Sequence, residues 1–203
     1  MIIIAATQNK HKIYEFGKIF GVKVYPAAEL GIFTDPEEDG TTFAENSEIK
    51  ARAIYEEVKK LDNIPDNEYI VVADDSGLCV DALGGAPGIY SARYASTDGH
   101  NSNDEENLQK VLDELKDVPA GKRQANFACA ICAVDQNGKA THTEARIYGE
   151  IIREKKGENG FGYDPIFFVP EYGKTTAELS VEEKNAISHR GKALRELKEI
   201  LWS

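Results

Sequence analysis

The adjacent carboxylates Asp74-Asp75, preceded by the apolar stretch Tyr69 to Ala73 and followed by Ser76-Gly77-Leu78, are the residues whose type and spacing point most directly to chemistry. Carboxylates so placed hold metal or move protons. A β-branched run ending in Asp and Gly reads as a core strand entering a turn, and the carboxyl end of such a strand is where open α/β sheets bind ligands. Asp75 is therefore the first active-site candidate; the alternative is an Asx turn that merely closes a strand. The polar segment Thr7-Gln8-Asn9-Lys10-His11-Lys12 lies between a first strand and a first helix, where backbone N–H groups, the helix dipole and lysines together suit a phosphate chain. It is not a P-loop, because neither GxxxxGK[ST] nor GxGxxG occurs in the chain.

Three further segments carry donors or acceptors. Asp35-Pro36-Glu37-Glu38-Asp39-Gly40 offers oxygen ligands of the kind Mg²⁺ takes, or else forms a solvated acidic turn before a helix. Combined with Asp75 it would suffice, since Mg²⁺ on nucleotide phosphates uses one or two protein carboxylates. In Gly160-Phe161-Gly162-Tyr163-Asp164-Pro165 a ring could be exposed for stacking while Asp164 offers acceptors to a base edge; a tight turn with core aromatics is the alternative. Lys184-Asn185-Ala186-Ile187-Ser188-His189-Arg190 concentrates cationic donors in an acidic chain. In one continuous helix Lys184 and Arg190 would lie about 240° apart around the axis. If both touch one ligand the helix must break near Ser188, placing His189 and Arg190 in the first turn of a final helix.

The elements that must position these residues follow from periodicity. Ile2 to Ala6 reads as a buried strand and a helix starts near Lys12, with Ile13, Phe16, Ile19 and Phe20 on one face. Thr42 with Glu45 forms a capping box for a second helix through Ile49, Ala53 and Ile54 toward Lys60, and Asp62 to Glu68 ends it. Gly84 to Gly88 and the polar stretch Ser96 to Asn103 are loops. Ser102 with Glu105 opens a helix whose Leu108, Val111, Leu112 and Leu115 form the inward stripe. Asn126 to Val134 and Ala140 to Ile147 flank Asp135-Gln136-Asn137-Gly138, a strong hairpin signal. Ser180 with Glu183 is a further capping box, and the last helix carries Leu194, Leu197, Ile200 and Leu201.

A chain of 203 residues with 41% hydrophobic content can bury a full core, and it is read as a single domain, 1–203. The formal net charge of −11 disfavours nucleic acid and anionic lipid as partners. A nucleotide remains compatible where basic residues converge or a divalent cation intervenes. The start lacks a signal h-region and no apolar stretch approaches the ~18 residues that span a bilayer, so a cytoplasmic location is expected. Cys79, Cys129 and Cys132 form an odd set that fits a reducing compartment. Cys129-Ala130-Ile131-Cys132 matches a redox or zinc spacing, but inside a strand it points the two thiols to opposite faces, as buried structural cysteines.

Taken together, these segments resemble the inosine triphosphate pyrophosphatase family, which hydrolyses non-standard purine nucleoside triphosphates to the monophosphate and pyrophosphate. The resemblance spans nearly the whole chain. It rests on Thr7-x-Asn9-x-x-Lys12 with Glu15, Gly40 to Asn46, Asp74 to Leu78, Leu83 to Arg93, Phe161 to Pro165, and Glu183 to Arg190, in that order. Gln8 stands where many members carry glycine. The resemblance implies an α/β fold, elongated and two-lobed, with a long twisted mixed β-sheet flanked by helices and a substrate cleft between the lobes, in a homodimer. It implies that Thr7, Gln8, Asn9, Lys10, His11 and Lys12 hold the triphosphate, that Glu37 and Asp75 bind Mg²⁺, with Mn²⁺ a substitute, and that Ser76 touches substrate. Asp75 would also accept the proton of a water attacking the α-phosphorus. Phe161, Gly162, Tyr163, Asp164, Lys184, His189 and Arg190 would form the base and sugar pocket. There, donors such as Arg190 and His189 would donate to the 6-keto oxygen of ITP, dITP or XTP and oppose the amino group of adenine. Competing readings are the related Maf-like pyrophosphatases, a noncatalytic nucleotide sensor, and a redox role for Cys129 and Cys132.

Overall fold

A computed structural model describes residues 2–61, 64, 68–97 and 99–202. The breaker expected over Asp62 to Glu68 lies largely outside the described residues, as does Asp98 of the polar stretch. The elements in chain order are β1 (Ile2–Ala5), α1 (Lys10–Phe20), β2 (Val24–Pro26), α2 (Phe43–Val58), β3 (Tyr69–Val80), α3 (Asp104–Glu114), β4 (Gln124–Asp135), β5 (Ala140–Ile151), β6 (Phe167–Val169), β7 (Lys174–Thr175), α4 (Val181–Ile187) and α5 (His189–Leu201). The strands form one mixed seven-stranded sheet in the order β2-β1-β3-β4-β5-β6-β7, flanked by helices as expected. β1 pairs in parallel with β2 and β3, and β6 pairs antiparallel with β5 and β7. Among the described residues no helix is long and apolar enough to cross a membrane.

The chain divides into two compact units. Unit 1 comprises residues 1–75, 129–145 and 190–203. On one sheet face Phe16 and Phe20 of α1 and Ala193, Leu194 and Leu197 of α5 pack on Ile3, Ile70, Val72 and Ile131. On the other, Ala51, Ile54, Tyr55 and Val58 of α2 pack on Ile4, Val71, Ala73 and Val134. The face of α2 that turns inward therefore runs through Ala51 and Tyr55, with Ile49 and Ala53 only half-buried. Ile200, expected on the inward stripe of α5, is exposed.

Unit 2 comprises residues 76–128 and 146–189. Leu108 and Val111 of α3, with Leu115 at its C-cap, pack with Leu78, Val80, Phe127, Ile147 and Phe167. The cap of α3 is Asn103, which accepts from the Glu106 N–H, one residue beyond the expected Ser102–Glu105 pair. Asn outranks Thr and matches Ser as an N-cap, so the two registers competed on nearly equal local terms. Directly after the expected loop of Gly84 to Gly88, and sharing Gly88 with it, Gly88–Arg93 forms a short 3₁₀ helix.

The hairpin forms as expected: Asp135 Oδ1 accepts from the N–H groups of Asn137 and Lys139, and Gly138 adopts φ 82°. Cys129 joins the cluster under α1 and α5 while Cys132 joins the one under α2, on opposite sheet faces. Burial pushes the Cys132 thiol up to about 12. Because the thiolate is the nucleophile, native protein treated with iodoacetamide at pH 8 should leave Cys132 unmodified, as peptide mass spectrometry would read. Alkylation of Cys132 at the rate of a free thiol would contradict its structural role.

Candidate active site

The site begins with β3. The strand does not end at Asp74 as its sequence suggests; it runs on through Asp75, Ser76 and Gly77 to Val80. Both carboxylates are buried in mid-strand. This is possible because alternation sends neighbouring side chains to opposite faces, and each face supplies cations. Asp74 meets Lys12 of α1, Nζ to Oδ1 3.0 Å, and Arg190 of α5, Nε to Oδ2 2.9 Å. Arg190 Nη1 also donates to Glu15 Oε2 at 2.7 Å, inside α1. On the other face Lys50 Nζ of α2 lies 3.0 Å from Asp75 Oδ1 and 2.9 Å from Glu38 Oε2.

The two aspartates consequently differ. Burial pushes Asp74 up, but Lys12, Arg190 and Lys50 together outweigh it and hold this carboxyl far below the usual carboxylate range. Asp75 is raised: burial drives it up, Lys50 opposes, and the charge of Glu38 adds to the rise. Lys50 stays firmly protonated, because Asp75, Glu38 and Asp74 overcome the effect of its own burial. One aspartate is thus an ionised anchor, while the carboxyl of the other is raised from its ordinary value.

Local rules place these cations. Asn9 caps α1, its Oδ1 accepting from the N–H groups of His11 and Lys12. Two of the backbone donors expected to face phosphate are thereby taken by the loop's own side chain. Gln8, Lys10 and His11 are exposed, and Thr7, Asn9 and Lys12 half-buried. The expected capping box at Thr42 and Glu45 starts α2, which sets Asn46 and Lys50 one turn apart on the same side. Glu37 is exposed; Glu38, beside it, is the residue that converges with Asp75 on Lys50. Sequence reasoning passed over Lys50 and gave Asn46 no role of its own, and it named Glu38 only as one carboxylate of the acidic loop beside Glu37. A polar i, i+4 pair beside the apolar stripe of α2 was the available signal.

Apart from Arg190, the remaining expected site residues belong to unit 2. Asp164 is buried and its carboxylate is engaged: Oδ2 accepts from the Phe161 N–H at 2.8 Å and meets Lys184 Nζ at 2.5 Å, and Oδ1 accepts from Thr176 Oγ1 at 2.8 Å. Lys184 Nζ stands 5.1 Å from the centre of the Phe161 ring. Gly160 has φ +81°, and a Cβ there would fall 2.0 Å from Asp164 Oδ2, so only glycine permits this turn. The Gly162 N–H donates to Asp104. Tyr163 is a core residue whose hydroxyl donates to the Ser91 carbonyl. His189 is buried and stacks on Phe127, centroids 5.1 Å apart. Ser76 is half-buried in β3.

The helix break required at Ser188 is present: Ser188 is extended, with φ −61° and ψ 152°, between α4 and α5. Lys184 and His189 belong to unit 2 and Arg190 to unit 1. There two of its donor nitrogens hold Asp74 and Glu15.

The Ham1 family model matches residues 3–200. The chain belongs to the Ham1 family. A Ham1 protein from Coxiella burnetii has a solved structure that superposes with a TM-score of 0.85 at 40% identity, covering 100% of this chain and 99% of that one. The Staphylococcus aureus Ham1 protein gives 0.84 at 41% identity, over 100% and 98%. The dITP/XTP pyrophosphatase of Clostridium perfringens is 51% identical over 98% of this chain and 96% of its own length. In this Ham1 chain the buried carboxylates are thus part of a fold shared over its full length.

Asp74→Asn should lower unfolding free energy by roughly 3–5 kcal/mol at pH 7, the usual cost of breaking a buried ion pair from one side. The native carboxyl of Asp74 lies below its unfolded value, so its contribution is complete above about pH 4 and is lost only as pH falls through the depressed native value. Urea unfolding of both proteins from pH 3 to 8 should therefore give a gap that is constant near neutrality and narrows only in acid. A gap that grows toward acid would contradict this pairing.

Proposed function

We propose that the chain hydrolyses dITP, ITP and XTP to the nucleoside monophosphate and pyrophosphate, removing non-standard purines from the nucleotide pool. Membership of the Ham1 family and full-length similarity to dITP/XTP pyrophosphatases support the reading. The observation that carries it is the buried Asp75 carboxylate sharing one ammonium, Lys50, with Glu38.

In this account Asp75 takes a proton from a water whose oxygen bonds to the α-phosphorus, and the bond from that phosphorus to the bridging oxygen breaks, releasing pyrophosphate. Lys12 and Lys50 offset the negative charge that accumulates on the phosphate oxygens, and the segment Thr7 to Lys12 holds the triphosphate. Ser76 touches substrate beside Asp75. The donor set fits Mg²⁺, with Mn²⁺ as substitute: oxygens of Asp75 and Glu38 converge on one cationic group, Lys50. Among the described residues no third acidic, His or Cys ligand completes a cage, which is the ligand count expected when phosphates complete the shell. Asp75 and Glu38 would hold the ion, moving the second ligand from Glu37 to its neighbour. When bound, the ion supplies charge neutralisation on the phosphates.

The base end falls to unit 2. Phe161 offers a stacking ring, Asp164 fixes the Phe161 turn and Lys184, and His189 with Lys184 provides donors to a 6-keto oxygen. Arg190 contributes from unit 1 by fixing Asp74 and Glu15. The chain acts as one pyrophosphatase domain, in a cytoplasmic homodimer, on free nucleotides and without nucleic acid or membrane; its three cysteines, none in a disulfide, accord with a reducing compartment.

With Mg²⁺ present, dITP, ITP and XTP should release pyrophosphate well ahead of ATP and GTP, measured by ion chromatography. Asp75→Asn should cut turnover roughly a hundredfold to ten-thousandfold, the span of a general base, and retain nucleotide binding by calorimetry. Orthophosphate as product, or equal turnover of all purines, would overturn the reading.

A further inference from the structure

Asn46 is fully buried on the first turns of α2 and joins two segments far from it in sequence. Its Oδ1 accepts from the Gly40 N–H at 2.9 Å, and its Nδ2 donates to Asp75 Oδ2 at 3.4 Å. The amide orientation is dictated by its partners, because a backbone N–H only donates and an ionised carboxylate only accepts. Around it α2 binds the loop closely. Glu45 Oε2 accepts from the N–H groups of Thr41 and Thr42, so with Asn46 three successive backbone donors are tied to the start of the helix. A Cβ on Gly40 would lie 2.5 Å from Asn46 Oδ1 and 2.8 Å from Glu45 Cβ, so this approach requires glycine.

Glu38 lies two residues before Gly40, and its partner Lys50 lies one turn beyond Asn46. The two oxygens of Asp75 are consequently held by two side chains of the same helix, Oδ1 by Lys50 and Oδ2 by Asn46. We infer that Asn46 is a positioning residue of the hydrolysis: its single amide fixes the loop carrying Glu38 and the orientation of Asp75 at once. The inference rests on the pyrophosphatase reading. An amide meets both demands because it pairs an acceptor with a donor on one short stem. Aspartate keeps the acceptor for Gly40 but turns a third carboxylate oxygen on Asp75. Alanine leaves the Gly40 N–H without its acceptor.

The test compares Asn46→Asp and Asn46→Ala with the unaltered full chain, reading kcat and KM for dITP as pyrophosphate release and the hydrogen exchange of the Gly40 amide. Loss of an outer-shell partner of a metal ligand typically costs 10- to 100-fold. Both variants should lose kcat on that scale with KM little changed, while Gly40 exchange accelerates in Asn46→Ala and not in Asn46→Asp. A merely structural residue would lower the unfolding midpoint of both variants and leave kcat intact well below it. Folded Asn46→Asp with unaltered kcat would overturn the inference even if Asn46→Ala does not fold, and so would unaltered Gly40 exchange in Asn46→Ala. No pyrophosphate from the unaltered chain would instead overturn the functional reading, and the inference with it.

Discussion

Two buried negative charges on consecutive residues of one strand are the constraint around which unit 1 is arranged. An ionised carboxylate out of water is tolerated only when paired and hydrogen-bonded. Strand alternation prevents Asp74 and Asp75 from sharing a partner on one face. Cations must therefore arrive from two helical layers: Lys12 and Arg190 from α1 and α5, Lys50 from α2. Each helix starts where its cation needs it to start, at Asn9, after Ser188 and at Thr42. The apolar stripes of the same helices, Phe16 with Phe20, Leu194 with Leu197, and Ile54 with Val58, clamp those cations against the sheet.

The same arrangement divides labour between chemically identical neighbours. Asp74 is surrounded by enough positive charge to stay ionised under all ordinary conditions and serves as the fixed point for α1 and α5. The ammonium paired with Asp75, that of Lys50, is shared with Glu38, and burial wins. Environments that push paired carboxylates apart are how one site obtains both an electrostatic anchor and a base. Glu38 matters twice in this account, as the charge that helps raise Asp75 and as the second oxygen donor facing the same cation.

The parts legible in the sequence were those governed by local rules. Capping boxes at Thr42 and Ser180, the Asp135–Gly138 turn, the break at Ser188 and the division of Cys129 from Cys132 all follow from short-range periodicity and hydrogen bonding. Asp75 stood out because it is one of two adjacent carboxylates that follow an apolar run at the expected end of a strand. What was not legible depends on contacts distant in sequence. The continuation of β3 past Asp74 is stabilised by Lys12, Lys50 and Arg190, and without them an Asp-Asp-Ser-Gly run properly reads as a turn. Nothing local in the sequence sets Lys50 apart from the other lysines of an amphipathic helix. Glu37 and Glu38 are indistinguishable by composition, and only the loop geometry fixed by Gly40 and Asn46 brings one of them to Asp75. Arg190 read as a free donor because nothing local reveals Glu15 and Asp74 as its partners.

The central claim is that Asp75 delivers water to the α-phosphorus. Hydrolysis of dITP in ¹⁸O-labelled water, with mass analysis of both products, tests it most directly. The account predicts the label in the nucleoside monophosphate and none in pyrophosphate. Label in the pyrophosphate would place the attack on the β-phosphorus and contradict the assignment.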